Sequence, residues 1–271
     1  MKRRDFLIGA ASGATSAVVL GSAGAVISRI RAGGRDAPLP AVARPAAPST
    51  LYQGRRSFAQ QGEDLILYNL LWHDLKIQLP SYLDVGAGDP VLSNNTYALY
   101  LTGSRGVLVE PNPALVRKLR AVRPGDVVVG CGVGLRDATV ADYYVIRGRW
   151  PLNTFSSEAV AGYRHQSAAD PVEKVLKMPL IPINRLMAEH FGGAPDLLSI
   201  DIEGLDLAVL RTMDFRAHRP AAICAETKNP GMSHDSTPIA RFLRGKGYLA
   251  CAGSLYNTIF VDRGRLQPRR G

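Results

Sequence analysis

The sequence predicts an α/β fold, a doubly wound parallel sheet with helices on both faces. From Ser57 onward, short apolar runs of strand length alternate with segments whose apolar residues have helical spacing. The runs are almost continuously apolar, which is typical of parallel strands covered on both sides. We find no internal repeat, so one doubly wound domain with right-handed crossovers is expected.

The first half of this domain supplies three strands and three helices. The short apolar runs predict strands over 81–85, 106–110 and 127–131. The helically spaced segments predict helices over 65–72, 94–101 and 113–122. Gly103 stands at a C′ position of the second helix, and Pro113 stands near the first position of the third.

The second half continues the alternation after a loop-rich stretch at 148–170. An added strand is predicted over 140–145. Further strands are predicted over 197–201, 221–226, 248–251 and 257–261. Helices are predicted over 183–191, 205–213 and 239–246.

The charge of the chain is concentrated at its two ends. The 271 residues carry 33 Lys and Arg against 23 Asp and Glu, a net charge of +10. Residues 1–56 hold 9 basic and 2 acidic residues, and 263–271 add 4 basic ones, whereas 57–262 hold 20 basic and 21 acidic residues. The folded part is therefore nearly neutral, which argues against nucleic acid as a partner.

The N-terminal segment predicts an export signal or a membrane anchor over residues 1–32. Arg3-Arg4 followed by Phe6-Leu7 and a Gly/Ala-rich apolar stretch is typical of signals for the twin-arginine translocation machinery. The same stretch is long enough to stay in the membrane as an uncleaved anchor. Residues 33–56 are a Pro/Ala-rich linker, 57–262 the folded domain and 263–271 a basic tail.

Two consecutive strand ends carry residues of a nucleotide-type site. Asp84-Val85-Gly86-Ala87-Gly88 closes the first strand, and Glu110 closes the second, 22 residues past Gly88. Ligands of such sheets bind beyond the carboxyl ends of the strands, where glycines allow close approach and an acid can accept ribose hydroxyls. A dinucleotide site would need a third glycine where Val91 stands, so S-adenosylmethionine is the expected cofactor and an NAD(P)-dependent oxidoreductase the weaker alternative.

Several segments in a fixed order resemble the FkbM family of S-adenosylmethionine-dependent methyltransferases, across residues 57–262. They are Gln61-Gly62-Glu63-Asp64, Asp84 to Pro90, Ser93-Asn94-Asn95-Thr96, Gly106 to Asn112, Asp201-Ile202-Glu203-Gly204 and Arg219 to Glu226. The resemblance implies a Rossmann-like fold and O-methylation of a hydroxyl on a sugar, glycan or related small molecule. It also implies cofactor contacts at Asp84, Gly86, Gly88, Glu110 and Asn112.

Three acids, Asp201, Glu203 and Glu226, are predicted to meet at two neighbouring strand ends. They cannot all be ionised at close range without a cation, a shared proton or hydrogen-bond donors. One of them could be the general base that deprotonates the acceptor hydroxyl. Alternatively they could hold Mg²⁺, or Glu203-Gly204 could cap the following helix.

Other residues leave alternatives open. His165 and His234 lie in loop-like segments and could supply the base instead, and the segment from Trp150 to Ser156 could be a substrate lid or core packing. The export-like N-terminus conflicts with the expected cofactor, because S-adenosylmethionine is a cytoplasmic metabolite. An exported or anchored binding protein without turnover is therefore the non-enzymatic alternative.

Overall fold

The computed structural model describes residues 56–135, 139–228 and 236–266 of the chain. The predictions for the signal or anchor, for nearly all of the linker and for residues 267–271 of the tail lie outside these ranges. Within them, no helix combines the length and the apolar character that a membrane crossing requires.

Ten strands lie in the described residues. In chain order they are β1 Tyr82–Val85, β2 Gly106–Val109, β3 Val127–Val129, β4 Gly132–Gly134, β5 Val140–Ile146, β6 Val172–Pro182, β7 Leu197–Ile200, β8 Ala222–Glu226, β9 Tyr248–Gly253 and β10 Asn257–Asp262. Seven α-helices accompany them in the same ranges. They are α1 Glu63–Asn69, α2 Tyr97–Leu101, α3 Pro113–Val122, α4 Ser157–His165, α5 Ile183–Phe191, α6 Asp206–Thr212 and α7 Pro238–Gly245.

The main sheet has seven strands in the order β3-β2-β1-β7-β8-β10-β9. The chain first builds outward from β1 to β3 and then starts again on the other side of β1 with β7. This reversal confirms the doubly wound α/β prediction and places the switch point between β1 and β7, where ligands of such sheets bind.

The expectation of an all-parallel sheet is wrong at one strand. β10 runs antiparallel to both β8 and β9. Only residues 254–256 separate β9 from β10. So short a connection can only form a hairpin, because parallel neighbours need a crossover of about a dozen residues or more.

The core fills both faces of the main sheet. Leu83 and Val85 of β1 belong to the cluster that packs under α5, α6 and α7. Tyr82 of the same strand belongs to the cluster under α1, α2 and α3. Successive side chains of a strand point to opposite faces, so Asp84 lies on the Tyr82 side.

A second sheet of order β4-β6-β5 was not predicted in this form. The strand predicted over 127–131 ends earlier, at Val129 of β3 in the main sheet, and β4 follows directly after the predicted stretch and belongs to the small sheet. β5 confirms the added strand and pairs antiparallel with β6. The stretch predicted to be a loop contains α4, which begins at the Ser156 cap, where the Ser156 side chain accepts from the Ala159 amide.

Candidate active site

A cavity of about 300 Å³ opens at the carboxyl ends of β1, β2, β7 and β8. The small sheet and the segment 150–155 form the opposite wall. Among the predicted site residues, those that line the cavity are Gly86, Gly88, Glu110, Asp201, Glu203 and Glu226. The fold thus brings the predicted cofactor loop and the carboxylate cluster into one space.

The loop after β1 is tightly fitted to its surroundings. Gly86 has a φ of +82°, and a Cβ atom there would lie 1.9 Å from the carbonyl oxygen of Asp201. Gly88 has a φ of +60°, and a Cβ atom there would lie 2.6 Å from a ring carbon of Trp150. Only glycine meets both demands at these positions.

Glu110 joins the two loops of the predicted cofactor site. Its Oε2 accepts a hydrogen bond from the Gly88 amide at 3.0 Å, and its Oε1 accepts one from the Asn112 amide at 2.7 Å. Burial raises the pKa of Glu110 to about 7, although these two amides act in the opposite direction. Each carboxylate oxygen has a further lone pair, so Glu110 can still accept ribose hydroxyls.

Asp84 and Asn112 are the two predicted cofactor residues that do not line the cavity. The Asp84 carboxylate accepts a hydrogen bond from the Thr96 hydroxyl at 2.6 Å, on the face under α1 and α2. The Asn112 side chain accepts from the Ala114 amide at 2.9 Å and so caps α3. Both hold walls of the site, and their contact with a cofactor stays a prediction.

Behind the glycine loop lies a fully buried arginine that sequence reasoning missed. The Arg123 guanidinium donates to the carboxylate of Asp126 at 2.8 Å, to the Thr96 hydroxyl at 3.0 Å and to Asn94 Oδ1 at 3.1 Å. Asn94 in turn donates through Nδ2 to the Ala87 carbonyl at 3.0 Å. Arg123 therefore fixes the loop through Asn94.

The three predicted acids do meet, and a lysine joins them. One carboxylate oxygen from each of Asp201, Glu203 and Glu226 lies within 4.8 Å of the others. Lys228 Nζ lies 2.7 Å from Glu203 Oε2 and 3.2 Å from Glu226 Oε2. A lysine two residues past the end of β8 gave no motif signal in the sequence, yet it supplies the cation that the cluster requires.

Asp201 differs from its two neighbours. Among the described residues, its carboxylate accepts no hydrogen bond and forms no ion pair. Burial, reinforced by the charges of Glu226 and Glu203, raises its pKa to about 8. This is the environment of a carboxyl group that can take up a proton near neutral pH.

In the described part of the chain, no side chain caps α6 through a hydrogen bond, and the turn before the helix is held by Asp206. Asp206 accepts hydrogen bonds from the amides of Ile202 at 3.1 Å and Gly204 at 3.2 Å. The Glu203 carboxylate turns to Lys228 instead. The capping alternative for Glu203 is therefore wrong.

The remaining candidates are placed as follows. His165 is an exposed residue at the end of α4, and it does not line the cavity. His234 lies outside the described residues. Trp150 is partly exposed and lies against Gly88 as part of the cavity wall, so it is not a buried core residue.

The raised pKa of Asp201 predicts a pH-dependent stability difference between the wild type and Asp201→Asn. A carboxyl group with a folded pKa near 8 keeps its proton where the unfolded chain, with a pKa of about 4, has lost it. This group's contribution to stability is therefore complete below about pH 4 and declines as pH rises to about 8.

We expect Asp201→Asn to melt at nearly the wild-type temperature in acid and to be the more stable protein, by roughly 3 °C or more, in alkaline buffer. Scanning calorimetry across this pH range measures the difference. The exposed Asp170→Asn serves as the control. A melting-temperature difference that stays constant across the range would show that Asp201 titrates normally.

The residues present fit S-adenosylmethionine better than a dinucleotide. The glycines leave room for close approach, Glu110 can accept ribose hydroxyls, and the acidic wall suits a cationic amino acid and sulfonium. The amides of Val91 and Leu92, which follow the loop, donate to Asp89 Oδ1 at 3.1 and 3.0 Å. They are thus already engaged where a pyrophosphate would need donors.

Comparison with known proteins identifies the family. A profile of the methyltransferase FkbM domain matches residues 84–250. A search of curated proteins finds no match.

Three solved structures are similar at low identity. Monomeric WbdD is 12% identical with a TM-score of 0.40, covering 82% of this chain and 45% of WbdD. The 16S rRNA N2 G1207 methyltransferase RsmC of T. thermophilus, in complex with AdoMet and guanosine, is 16% identical with a TM-score of 0.36. The match covers 78% of this chain and 44% of RsmC. A TehB-like SAM-dependent methyltransferase of Corynebacterium glutamicum is 12% identical with a TM-score of 0.36. The match covers 75% of this chain and 88% of the TehB-like protein.

The chain spans less than half the length of WbdD and of RsmC. The profile match, by contrast, covers more than half of this chain. The protein belongs to the FkbM methyltransferase domain family.

Proposed function

We propose that the protein methylates a hydroxyl oxygen on a sugar, glycan or related small molecule, with Asp201 as the general base. The observation that carries this proposal is the isolation of the Asp201 carboxylate. It lines the cavity beside the cofactor loop, and among the described residues it accepts no hydrogen bond and forms no ion pair, although the charge of Lys228 acts on it through space. Its pKa of about 8 makes it a far stronger base than an ordinary carboxylate.

Glu110, the glycine loop and Asp201 have separate roles in the proposed reaction. S-adenosylmethionine, when bound, supplies an electrophilic methyl group. Glu110 accepts hydroxyls of the cofactor's ribose, and the loop with Gly86 and Gly88 lets the backbone approach closely. Asp201 would accept the proton of the acceptor hydroxyl, and the oxygen would replace the sulfonium sulfur at the methyl carbon, giving a methyl ether, S-adenosylhomocysteine and a protonated Asp201.

The character of the cavity wall supports a polyhydroxylated acceptor. Carboxylates at Glu203 and Glu226 can accept hydrogen bonds from hydroxyls, and the rings of Trp150 and Tyr256 offer apolar faces. The folded domain, with 20 basic and 21 acidic residues, has no excess charge to attract a nucleic acid.

The test is a methyl-transfer screen of the full chain with cofactor labelled in its methyl group. The acceptors are free sugars, glycans and lipid-linked sugars, with matched amine and thiol compounds as controls. We expect the label in an ether, identified by NMR of the product. Label confined to nitrogen or sulfur would refute O-methylation, and calorimetric binding of S-adenosylhomocysteine with no transfer to any acceptor would favour the binding protein without turnover.

A further inference from the structure

Lys228 is the cation of the carboxylate cluster. Among the described residues, no other lysine or arginine forms an ion pair with Asp201, Glu203 or Glu226. Its Nζ reaches one carboxylate at the end of β7 and one at the end of β8. The Glu203 and Glu226 side chains are 13% and 8% exposed, so their charges need a partner within the protein.

The backbone of Lys228 is held from a distant part of the chain. Its amide donates to the Tyr256 carbonyl at 3.0 Å, as does the amide of Thr227 at 2.7 Å. The loop that carries Tyr256 is bound by the motif at the start of α1. Glu63 accepts from Asn257 Nδ2 at 3.1 Å, and Gln61 Oε1 accepts from the Leu255 amide at 2.8 Å.

Both partners of the shorter ion pair have a left-handed backbone. Glu203 has a φ of +52° and Lys228 a φ of +42°. Residues other than glycine adopt this region only at a cost in free energy, and such residues cluster at functional sites. The fold thus holds two unfavourable conformations next to each other, and the two side chains meet as a result.

We infer that Lys228 is a positioning residue that takes the place of a metal ion, holding the Glu203 and Glu226 carboxylates together through its two ion pairs so that the transfer needs no divalent cation. The inference rests on the proposed function. It also divides the cluster: the two glutamates and the lysine form a fixed group in which one cation holds two carboxylates, and Asp201 remains to meet the acceptor.

Several other groups face this cluster and share in its charge balance. Asp206 lies at the start of α6, Tyr163 on α4 and Asp84 in β1. All three add negative charge when ionised, and none is a cation. Loss of the lysine therefore leaves the acids without a charge partner among the described residues, and their proton affinity must rise.

The experiment compares Lys228→Met with Lys228→Arg, which keeps the charge, and with Lys177→Met as a matched control. Lys177 pairs with Asp142 on the small sheet, away from the cavity. We expect Lys228→Met to move the midpoint of the pH profile of kcat upward by about one unit or more. At neutral pH this lowers kcat about tenfold, whereas the KM for the cofactor is unchanged. Lys228→Arg should restore the midpoint, and Lys177→Met should not move it.

Two readouts do not depend on turnover, so a failure of this inference can be distinguished from a failure of the proposed function. NMR of protein labelled with ¹³C-Asp follows the carboxyl of Asp201, identified by its absence in Asp201→Asn, and its midpoint should rise in Lys228→Met. Mn²⁺ titration followed by electron paramagnetic resonance should show no uptake by the wild type. An unmoved carboxyl titration in Lys228→Met, Mn²⁺ uptake at the wild-type cluster, or activity that requires Mg²⁺ would each overturn the inference.

Discussion

Asp201→Asn is expected to lose about 10²- to 10⁴-fold in kcat, the usual contribution of a general base. Asparagine has nearly the same shape as aspartate but cannot take up the proton of the acceptor. Since no described residue bonds to the Asp201 carboxylate, the exchange leaves the cavity wall intact. Affinity for S-adenosylhomocysteine, measured by calorimetry, should therefore be unchanged.

The pH profile gives an independent check of this role. The wild-type kcat should rise with pH toward a plateau above about 8, because Asp201 accepts a proton only when it is ionised. The residual activity of Asp201→Asn should lack that rise. Wild-type turnover in Asp201→Asn, with normal turnover in the exposed control Asp170→Asn, would show that another residue is the general base.

Glu110→Gln is expected to weaken S-adenosylhomocysteine binding by about 10- to 100-fold. Hydrogen bonds to a charged group contribute about 1.5–3 kcal/mol each. The glutamine amide nitrogen would face the backbone N–H of either Gly88 or Asn112. Both groups are hydrogen-bond donors, so one of the two hydrogen bonds to the loops is lost. The same change removes an acceptor for the ribose.

Calorimetric titration of the wild type, Glu110→Gln and the exposed Glu158→Gln measures this effect. Glu158 lies in the first turn of α4 and outside the cavity lining, so its variant should bind as the wild type does. Unchanged affinity in Glu110→Gln would remove Glu110 from the cofactor site. Circular dichroism confirms that all three proteins are folded.

Most of the main sheet could be predicted from sequence because its strands are buried on both faces. β1, β7, β8 and β10 are buried along their whole length, which produces the continuous apolar runs. β6 buries only Ile181 fully and contains charged residues and two prolines, so its apolar run is interrupted. α4 buries only Val160 and shows no apolar stripe.

The site was predictable to the extent that it depends on strand ends. Glu110, Asp201 and Glu226 lie together because parallel neighbours present their carboxyl ends at one edge. The strand alternation could also have shown that Asp84 faces away from Leu83 and Val85. Lys228 was not predictable, since its position depends on a left-handed backbone and on a hairpin loop that a residue of α1 holds in place.

The buried Arg123 has a consequence for how tightly a ligand can bind. Through Asn94 it fixes the Ala87 and Asp89 carbonyls, and Glu110 fixes the Gly88 amide, so the glycine loop is already held in one conformation before any ligand arrives. Ordering a flexible loop on binding would subtract conformational entropy from the affinity. Here that entropy is lost when the chain folds, so ordering of the loop does not reduce the affinity for a ligand.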